Sequence, residues 1–488
     1  MSEQIMTDFD KKQLLYKKSM EALNLYNPAR RETKRSFTFK KEDLTGYMQN
    51  PNSNEINIRN LSRYLYTRSQ IYRKIIYDNA SMIDTRYHLT IPNIDLGKKR
   101  KKIDNASLKS YYETIETVEK MNLPSEMLKA YIECWTCDVF YGAYYYYKDQ
   151  GGIMIPLDPD YCQIIGLYPT GDFAFAFDLA YFSNRQEELE LYGEPFVSMY
   201  RSYQNDMANM KWQQLPDQYA CCFKVNLSDY KTILPPYINL FYSLIDLEDL
   251  KELNAIEAEN QLYKLLYMKV PLFSNSNVPD DFSVNPETAV RYYRKIMEAL
   301  PDNVASFLTP IDIESISFDP DQTANVNKVE NASKNILKTA GHVALADPSG
   351  ATAMAAALKA DESYAISSLL PQTQAWVNRM LGNILSKPAF VRFLPVTKYS
   401  KMEYKESLIR DMNFGLPMAQ VLNVLNGFSE SDAIKMSMIN SEIGISDLFV
   451  PLATASTQSG ADQEGGRPKE EITSDDAEKS AAKRERAG

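Results

Sequence analysis

Two cysteines three residues apart, Cys134 and Cys137, carry the spacing used by redox pairs and by one half of a zinc site. Either chemistry needs more: an exposed thiolate, or two further ligands. The remaining cysteines are Cys162 and the adjacent pair Cys221 and Cys222, which lacks the spacing of a second zinc half. The pair at 134 and 137 also lies in an aromatic, helical pattern around Trp135, so thiols packed in a core are the better reading. Five cysteines in 488 residues, odd in number and without a secretory signal, argue for reduced thiols and not for a disulfide framework. Only two histidines occur, His88 and His342, which makes imidazole-rich metal sites and most histidine-based catalysis unexpected.

Nucleotide hydrolysis can be read for directly. No GxxxxGK[ST] loop is present; Gly97-Lys98-Lys99 and Gly465-Gly466-Arg467 lack both the spacing and the hydroxyl that would hold magnesium. HExxH and GxSxG are absent too, so the sequence reads as a non-enzyme with no catalytic residue, no cofactor and no metal. The basic run Lys98 to Lys102 offers contacts to phosphate or an acidic partner, and a solvated loop is the better reading. The run Tyr144 to Tyr147 has the rings for base stacking, but strand residues on a sheet face or interface fit it better. A net charge of −10 argues against tight neutralisation of phosphates, although an acidic protein can still guide DNA without gripping it.

The elements that would position these groups follow from periodicity. With 44% hydrophobic and 24% charged residues the chain has the composition of a folded protein, long enough for two or more cores. No run approaches the roughly 18 apolar residues of a membrane span, and MSEQIMTDFDKK is too polar for a signal peptide, so a cytosolic chain is expected. Residues 1–45 carry the basic patch Arg30, Arg31, Lys34, Arg35, Lys40 and Lys41 and read as a peripheral arm with short helices. Leu61, Leu65, Ile71, Ile75 and Ile76 mark an amphipathic helix from Ile58 to Asn79, with room for an interruption, and Tyr87 to Ile94 reads as a strand. Pro124 opens a helix that should run toward Gly142. A hairpin of Ala143–Tyr147 and Ile153–Pro156 follows, and strands are expected at Tyr161–Gly166, Phe173–Phe177 and Ala220–Val225.

After Pro235 and Pro236 a glycine-free, proline-free stretch from Tyr237 to Leu262 carries a leucine stripe and an acidic remainder, including Asp246, Glu248, Glu252 and Glu259. That stripe has no obvious partner in the chain and should be buried between subunits. A strand (263–273), a helix (286–300) and a strand pair (305–308 with 313–318) come next. A polar helix from Asp321 ends at Gly341, a small-residue loop and Ala-rich segment covers 347–360, and a helix from Asp361 to about Leu385 contains Pro371. Helical hairpins fill 404–448, and the last residues, without aromatics, read as a disordered tail.

The order of these parts resembles the portal proteins of tailed bacteriophages over roughly residues 60 to 470. The likeness is carried by Tyr141-Gly142-Ala143-Tyr144 with Pro156-Leu157-Asp158-Pro159, by the long helix from Pro236 and the strands and helix after it, by ILKTAGHVALADPSG at 336–350 leading to Leu370-Pro371, and by Gly465-Gly466-Arg467-Pro468-Lys469. The resemblance implies an α+β, mainly helical subunit, with wing, long-helix stem, α/β clip, tunnel loop and helical crown. Its parts would be an arm (1–45), a wing (46–236), stem helices (237–262 and 321–341), a clip (263–320), a tunnel-loop region (342–362), a wing return (363–399), a crown (400–453) and a tail (454–488). It further implies a homododecameric ring at one capsid vertex of the virion, assembled in the host cytoplasm. Its partners would be double-stranded DNA in transit, the terminase large subunit, the major capsid protein and scaffold, and a head–tail adaptor, with no membrane.

On that assignment the candidate channel residues are Ala353, Ala356, Lys359, Asp361 and Glu362 of the tunnel segment and Glu248, Glu252 and Glu259 of the first stem helix. The acidic residues would repel DNA in the bore, while a solvated face or subunit contacts are the plainer roles for them. Two other readings remain: a tail or baseplate scaffold protein of the same viruses, and a divergent metal-dependent hydrolase.

Overall fold

The apolar run near the start of the chain forms two helices because Ser69 stands between them. In the computed structural model, which describes residues 41–91, 103–262, 264–269, 288, 291, 295, 304–309, 322–342, 351–416 and 418–443, helix α1 (Lys41–Gln49) leads through a 3-10 turn into α2 (Glu55–Arg68) and α3 (Gln70–Met82). Ser69 has extended backbone, and its hydroxyl accepts the Tyr72 N–H at 3.4 Å, so the residue that stops α2 caps α3. Strand β1 (Tyr87–Thr90) follows, shorter than expected, and then α4 (Asn105–Lys120), capped by Asp104 accepting from Ser107 N at 3.0 Å.

Helix α5 (Leu123–Cys137) has Pro124 in its first turn, as expected, but stops well before Gly142. Asp138 ends it in the left-handed region (φ 78°), its N–H bonded to Cys134 O at 2.7 Å. A left-handed aspartate is unusual, and this one is held because its carboxylate accepts from Lys224 Nζ and, at 2.8 Å, from Asn226 N. Gly142 instead lies within β2 (Val139–Tyr147), where a Cβ would meet the Phe140 ring at 2.7 Å.

Strand β2 pairs with β3 (Gly151–Pro156) in the expected hairpin, Tyr144 opposite Met154. Strands β4 (Cys162–Leu167) and β5 (Phe173–Asp178), helices α6 (Gln186–Tyr192) and α7 (Glu194–Asn205), β6 (Trp212–Gln214) and β7 (Ala220–Lys224) complete this body. Two antiparallel sheets result, ordered β3-β2-β7 and β4-β5-β6. Alternation in β5 turns Phe173, Phe175 and Phe177 into a core shared with Tyr141, Phe182 and Phe196.

Helix α8 (Phe241–Leu262) runs into β8 (Lys264–Lys269), which pairs in parallel with β9 (Val304–Thr309), Lys264 opposite Val304. Strand β9 covers the first member of the strand pair expected at 305–308 and 313–318. The segment 313–318, most of the helix at 286–300, the basic run 98–102, the tail from 454 and the motif at 465–469 lie outside the described residues. Helix α9 (Gln322–Thr339) ends before Gly341 (φ 87°).

Helix α10 (Ala351–Ile384) then runs unbroken for 34 residues with Pro371 inside it. Its first ten residues were expected to be a loop and Ala-rich segment before a helix starting at Asp361. Alanine is the best helix former, and Ala351, Ala353 and Ala355 to Ala357 simply extend the helix toward its N-terminus. Strand β10 (Phe390–Phe393) pairs antiparallel with β1, and helices α11 (Lys401–Asn413) and α12 (Ala419–Leu425) form a hairpin with a small core of Leu394, Val396, Leu408, Val424 and Leu425.

The chain is mainly helical with small sheets, an α+β protein. It separates into two compact units, residues 1–431 and 432–488; in the second, α13 (Glu430–Ile443, beginning just before the division) is exposed at Met436, Met438, Ile439 and Ile443. Among the described residues no helix is long and apolar enough to cross a membrane.

Candidate functional site

The candidate channel residues fall on α8 and on the N-terminal half of α10. Helix α8 forms where the sequence holds neither glycine nor proline, and it presents Phe241, Leu244 and Leu247 to one side at helical spacing. These three are fully buried within the chain, with Phe241 edge-on to Tyr72 of α3 at 5.9 Å between ring centres. The stripe expected to lack a partner thus has one over its first half, because α1 and α2 also pack along α8. Past that point no described side chain of the helix is buried, and Leu253 is 51% exposed. Helix α9, polar along its length, packs against α8 and buries Ile336 alone among its described side chains.

The acidic residues of α8 differ from one another. Asp246 pairs with Lys41 of α1, Glu248 pairs with Lys251 at 2.9 Å, and Glu252 is exposed. Glu259 lies in the last turn of α8, and its side chain is outside the described residues. On α10, Ala353, Ala356 and Asp361 belong to the helix backbone, and Lys359 reaches Glu403 of α11 at 3.1 Å with both side chains largely exposed. Glu362 does not face outward. It shares the inner face with Ala365 and Leu369, three and seven residues on, is 6% exposed, and accepts the Thr397 hydroxyl. Its assignment to a DNA-facing surface is corrected accordingly, and the i, i+3, i+7 spacing is the signal that places it inside.

The candidate chemistry of the thiols resolves the same way. All five cysteines are free and buried. Cys134 Sγ donates to Phe223 O at 3.5 Å, and burial pushes the Cys134, Cys137, Cys221 and Cys222 thiols up, away from the reactive thiolate. The tyrosine run is also structural: Tyr144 donates to Met121 O at 3.2 Å and Tyr145 to Tyr192 O, leaving only Tyr147 exposed. His342, buried next to α3, and half-buried His88, near Arg392, are both lowered, burial being the main cause. Among the described residues no group of three or more His, Cys, Asp and Glu is placed to hold a metal ion.

Sequence reasoning passed over the buried polar groups that fix α5 and α10 to the sheets. Asp138 and Lys224 form a wholly buried pair, Lys224 Nζ also donating to Thr232 O at 2.9 Å. Burial raises the Asp138 carboxyl to about 6 while the ammonium of Lys224 opposes the rise. Gln372 acts as a surrogate strand for β7: its Oε1 accepts Lys224 N at 2.9 Å and its Nε2 donates to Lys224 O at 2.7 Å. Trp376 Nε1 donates to Ala220 O at 3.1 Å. Arg379 bonds Asp172 at 2.7 Å and lies over the Tyr168 ring at 4.1 Å. The sheet edge at β7 is thereby sealed by three side chains, one helical turn apart from each to the next.

No family model matches the chain, and no curated protein matches it.

Proposed function

We propose that this chain is a non-enzymatic portal-type subunit: copies of it close into a ring, a dodecamer by the resemblance, that conducts double-stranded DNA into and out of a phage capsid. One observation carries the reading. Helices α8 and α9, about 33 Å and 27 Å long, pack on one another, and the small parallel pair β8–β9 lies between them in the chain. A two-helix stalk around a small β unit is what a stem and clip require, and α10, following α9, is long enough to run from a channel back into the body.

In this reading α8 and α9 line the bore. The exposed Glu252 discourages lasting phosphate contacts, each of which would add salt-dependent affinity that sliding must break. The β8–β9 unit meets the terminase large subunit during packaging and the head–tail adaptor afterwards. The body and the C-terminal helices face the major capsid protein and scaffold, at a single vertex of the virion, after assembly in the host cytoplasm. Apolar side chains left open on one copy, among them Phe414 (87% exposed), Met402 and Leu253, supply contacts to neighbours in head-to-tail rotation.

Native mass spectrometry of the purified chain tests this: a closed oligomer of defined copy number is expected. A monomer at every protein and salt concentration overturns it.

A further inference from the structure

Five segments of the first unit converge on an open cleft of about 760 Å³, within the roughly 300–1,000 Å³ of small-molecule sites. Ser53 to Asn57 at the start of α2 form one wall, and the turn before β4 and β4 itself supply Asp160, Gln163 and Ile165. Tyr230 and Lys231 come from the loop after β7, and Tyr141 from β2. Two groups of the lining are left unsatisfied by folding. Arg59 and Tyr141 are 3% and 0% exposed, and neither Arg59 Nε nor the Tyr141 hydroxyl has a hydrogen-bond partner. Burial pushes the Tyr141 hydroxyl's pKa well up, and the Arg59 guanidinium pulls against that, which puts the two within electrostatic reach of each other. Leaving a buried polar group unpaired is costly, so two of them in one cleft mark a place that a partner from outside the chain completes.

The rest of the guanidinium narrows the chemistry of that partner. Arg59 Nη1 donates to Glu55 Oε2 at 3.3 Å and to Ile233 O at 3.1 Å, and Nη2 donates to Asp160 Oδ1 at 2.6 Å. Glu55 Oε2 also accepts Ile233 N at 3.1 Å. The other carboxylate oxygens, Glu55 Oε1 and Asp160 Oδ2, have no donor among the described residues. A ligand must therefore accept from Arg59 Nε and donate to carboxylates within the same small space. An anion is disfavoured, because two carboxylates already flank the single guanidinium. A cation would meet Arg59 within and Lys231 at the rim. The charges of the lining, Glu55 and Asp160 against Arg59 and Lys231, cancel. Hydroxyls donate and accept at once, and several on one pyranose can serve all these groups together. Asn52, Asn57 and Gln163 add exposed amides that suit hydroxyls in either sense, and Tyr230, 48% exposed, offers its ring to the C–H face of a sugar.

We propose that this cleft binds a neutral saccharide. One sugar hydroxyl accepts from Arg59 Nε and meets the Tyr141 hydroxyl, its neighbours donate to Glu55 and Asp160, and the C–H face of the pyranose lies against Tyr230. Every protein group involved belongs to a single chain, so the site stands or falls separately from the oligomer.

Saturation-transfer NMR of the full chain tests this, with glucose, maltose and diacetylchitobiose as neutral probes and with glucuronic acid and glucosamine as their charged counterparts. Transfer to the pyranose protons of at least one neutral probe is expected, with weaker binding of both charged sugars. Tyr141→Phe removes only a hydroxyl that has no partner in the chain, so the unfolding midpoint should not fall while the Kd rises about tenfold. Tyr230→Ala, at the exposed rim, should raise the Kd as well. The assignment is overturned by absence of transfer to all three neutral probes, by tighter binding of glucuronic acid or glucosamine than of glucose, or by a Kd that both substitutions leave unchanged.

Discussion

The body around β2, β7 and the C-terminal half of α10 and the stalk of α8, β8, β9 and α9 are built on opposite terms. In the body, helix meets sheet through buried groups that are matched one by one: Asp138 with Lys224, Asp172 with Arg379, and Gln372 with both backbone atoms of Lys224. In the stalk, α8 is anchored to the body as far as Leu247, and beyond it Leu253 is open and α9 buries Ile336 alone among its described side chains. The first arrangement fixes helix to sheet within the chain; the second leaves most described side chains of the two helices at least partly open, surface that the proposed ring would cover with neighbouring copies. Regions that engage partners or move are drawn from the less stable end of a protein.

Removing the wholly buried ammonium of Lys224 should have the largest effect. Lys224→Met strands the Asp138 carboxylate and should cost about 3–5 kcal/mol. The sign of its pH dependence is fixed. The folded Asp138 carboxyl is raised above its unfolded value of 3.8 to about 6, so its contribution favours folding at low pH and is lost as pH rises through about 6. Without Lys224 the carboxyl rises further, so the deficit in urea unfolding should be greater at pH 8 than at pH 5. An equal deficit at both would show that the pair is not what joins the strands.

A smaller loss is expected from Gln372→Leu, which leaves Lys224 N and O unpaired in the core at about 2 kcal/mol, without altering assembly. Denaturation midpoints and native mass measured on one preparation would show whether sealing of the β7 edge stays confined to the body. Smallest in stability, within about 0.5 kcal/mol, should be Phe414→Asp, since the ring is already in water. Its effect should appear in assembly, as a shift toward lower mass. A stable oligomer of unchanged mass would remove Phe414 from the contacts between copies.

What was legible in the sequence was local. Pro124 marked the start of α5, the Gln150-Gly151-Gly152 turn marked the β2–β3 hairpin, and Gly341 marked the end of α9, each through a backbone preference that acts within a few residues. What was hidden depended on partners far along the chain. Helix α5 stops at Asp138 and does not approach Gly142, because Lys224, 86 residues on, holds that carboxylate. Strand β9 finds β8 across a parallel connection that periodicity cannot reveal. Glu362 read as solvent-facing because charge outweighed position, although its spacing to Ala365 and Leu369 already placed it inward. The acidic residues of α8 were legible as a set but not individually, since Asp246 and Glu248 take basic partners and Glu252 does not face one among the described residues.

The central claim is that the stalk is completed by copies of the same chain around an open axis. Single-particle electron microscopy of the purified protein tests it most directly. The expected particle is a closed ring, with α8 and α9 of every copy around a continuous channel and the body at larger radius. Rings in which the body surrounds the axis and the stalk points outward, or particles with no channel, would contradict it.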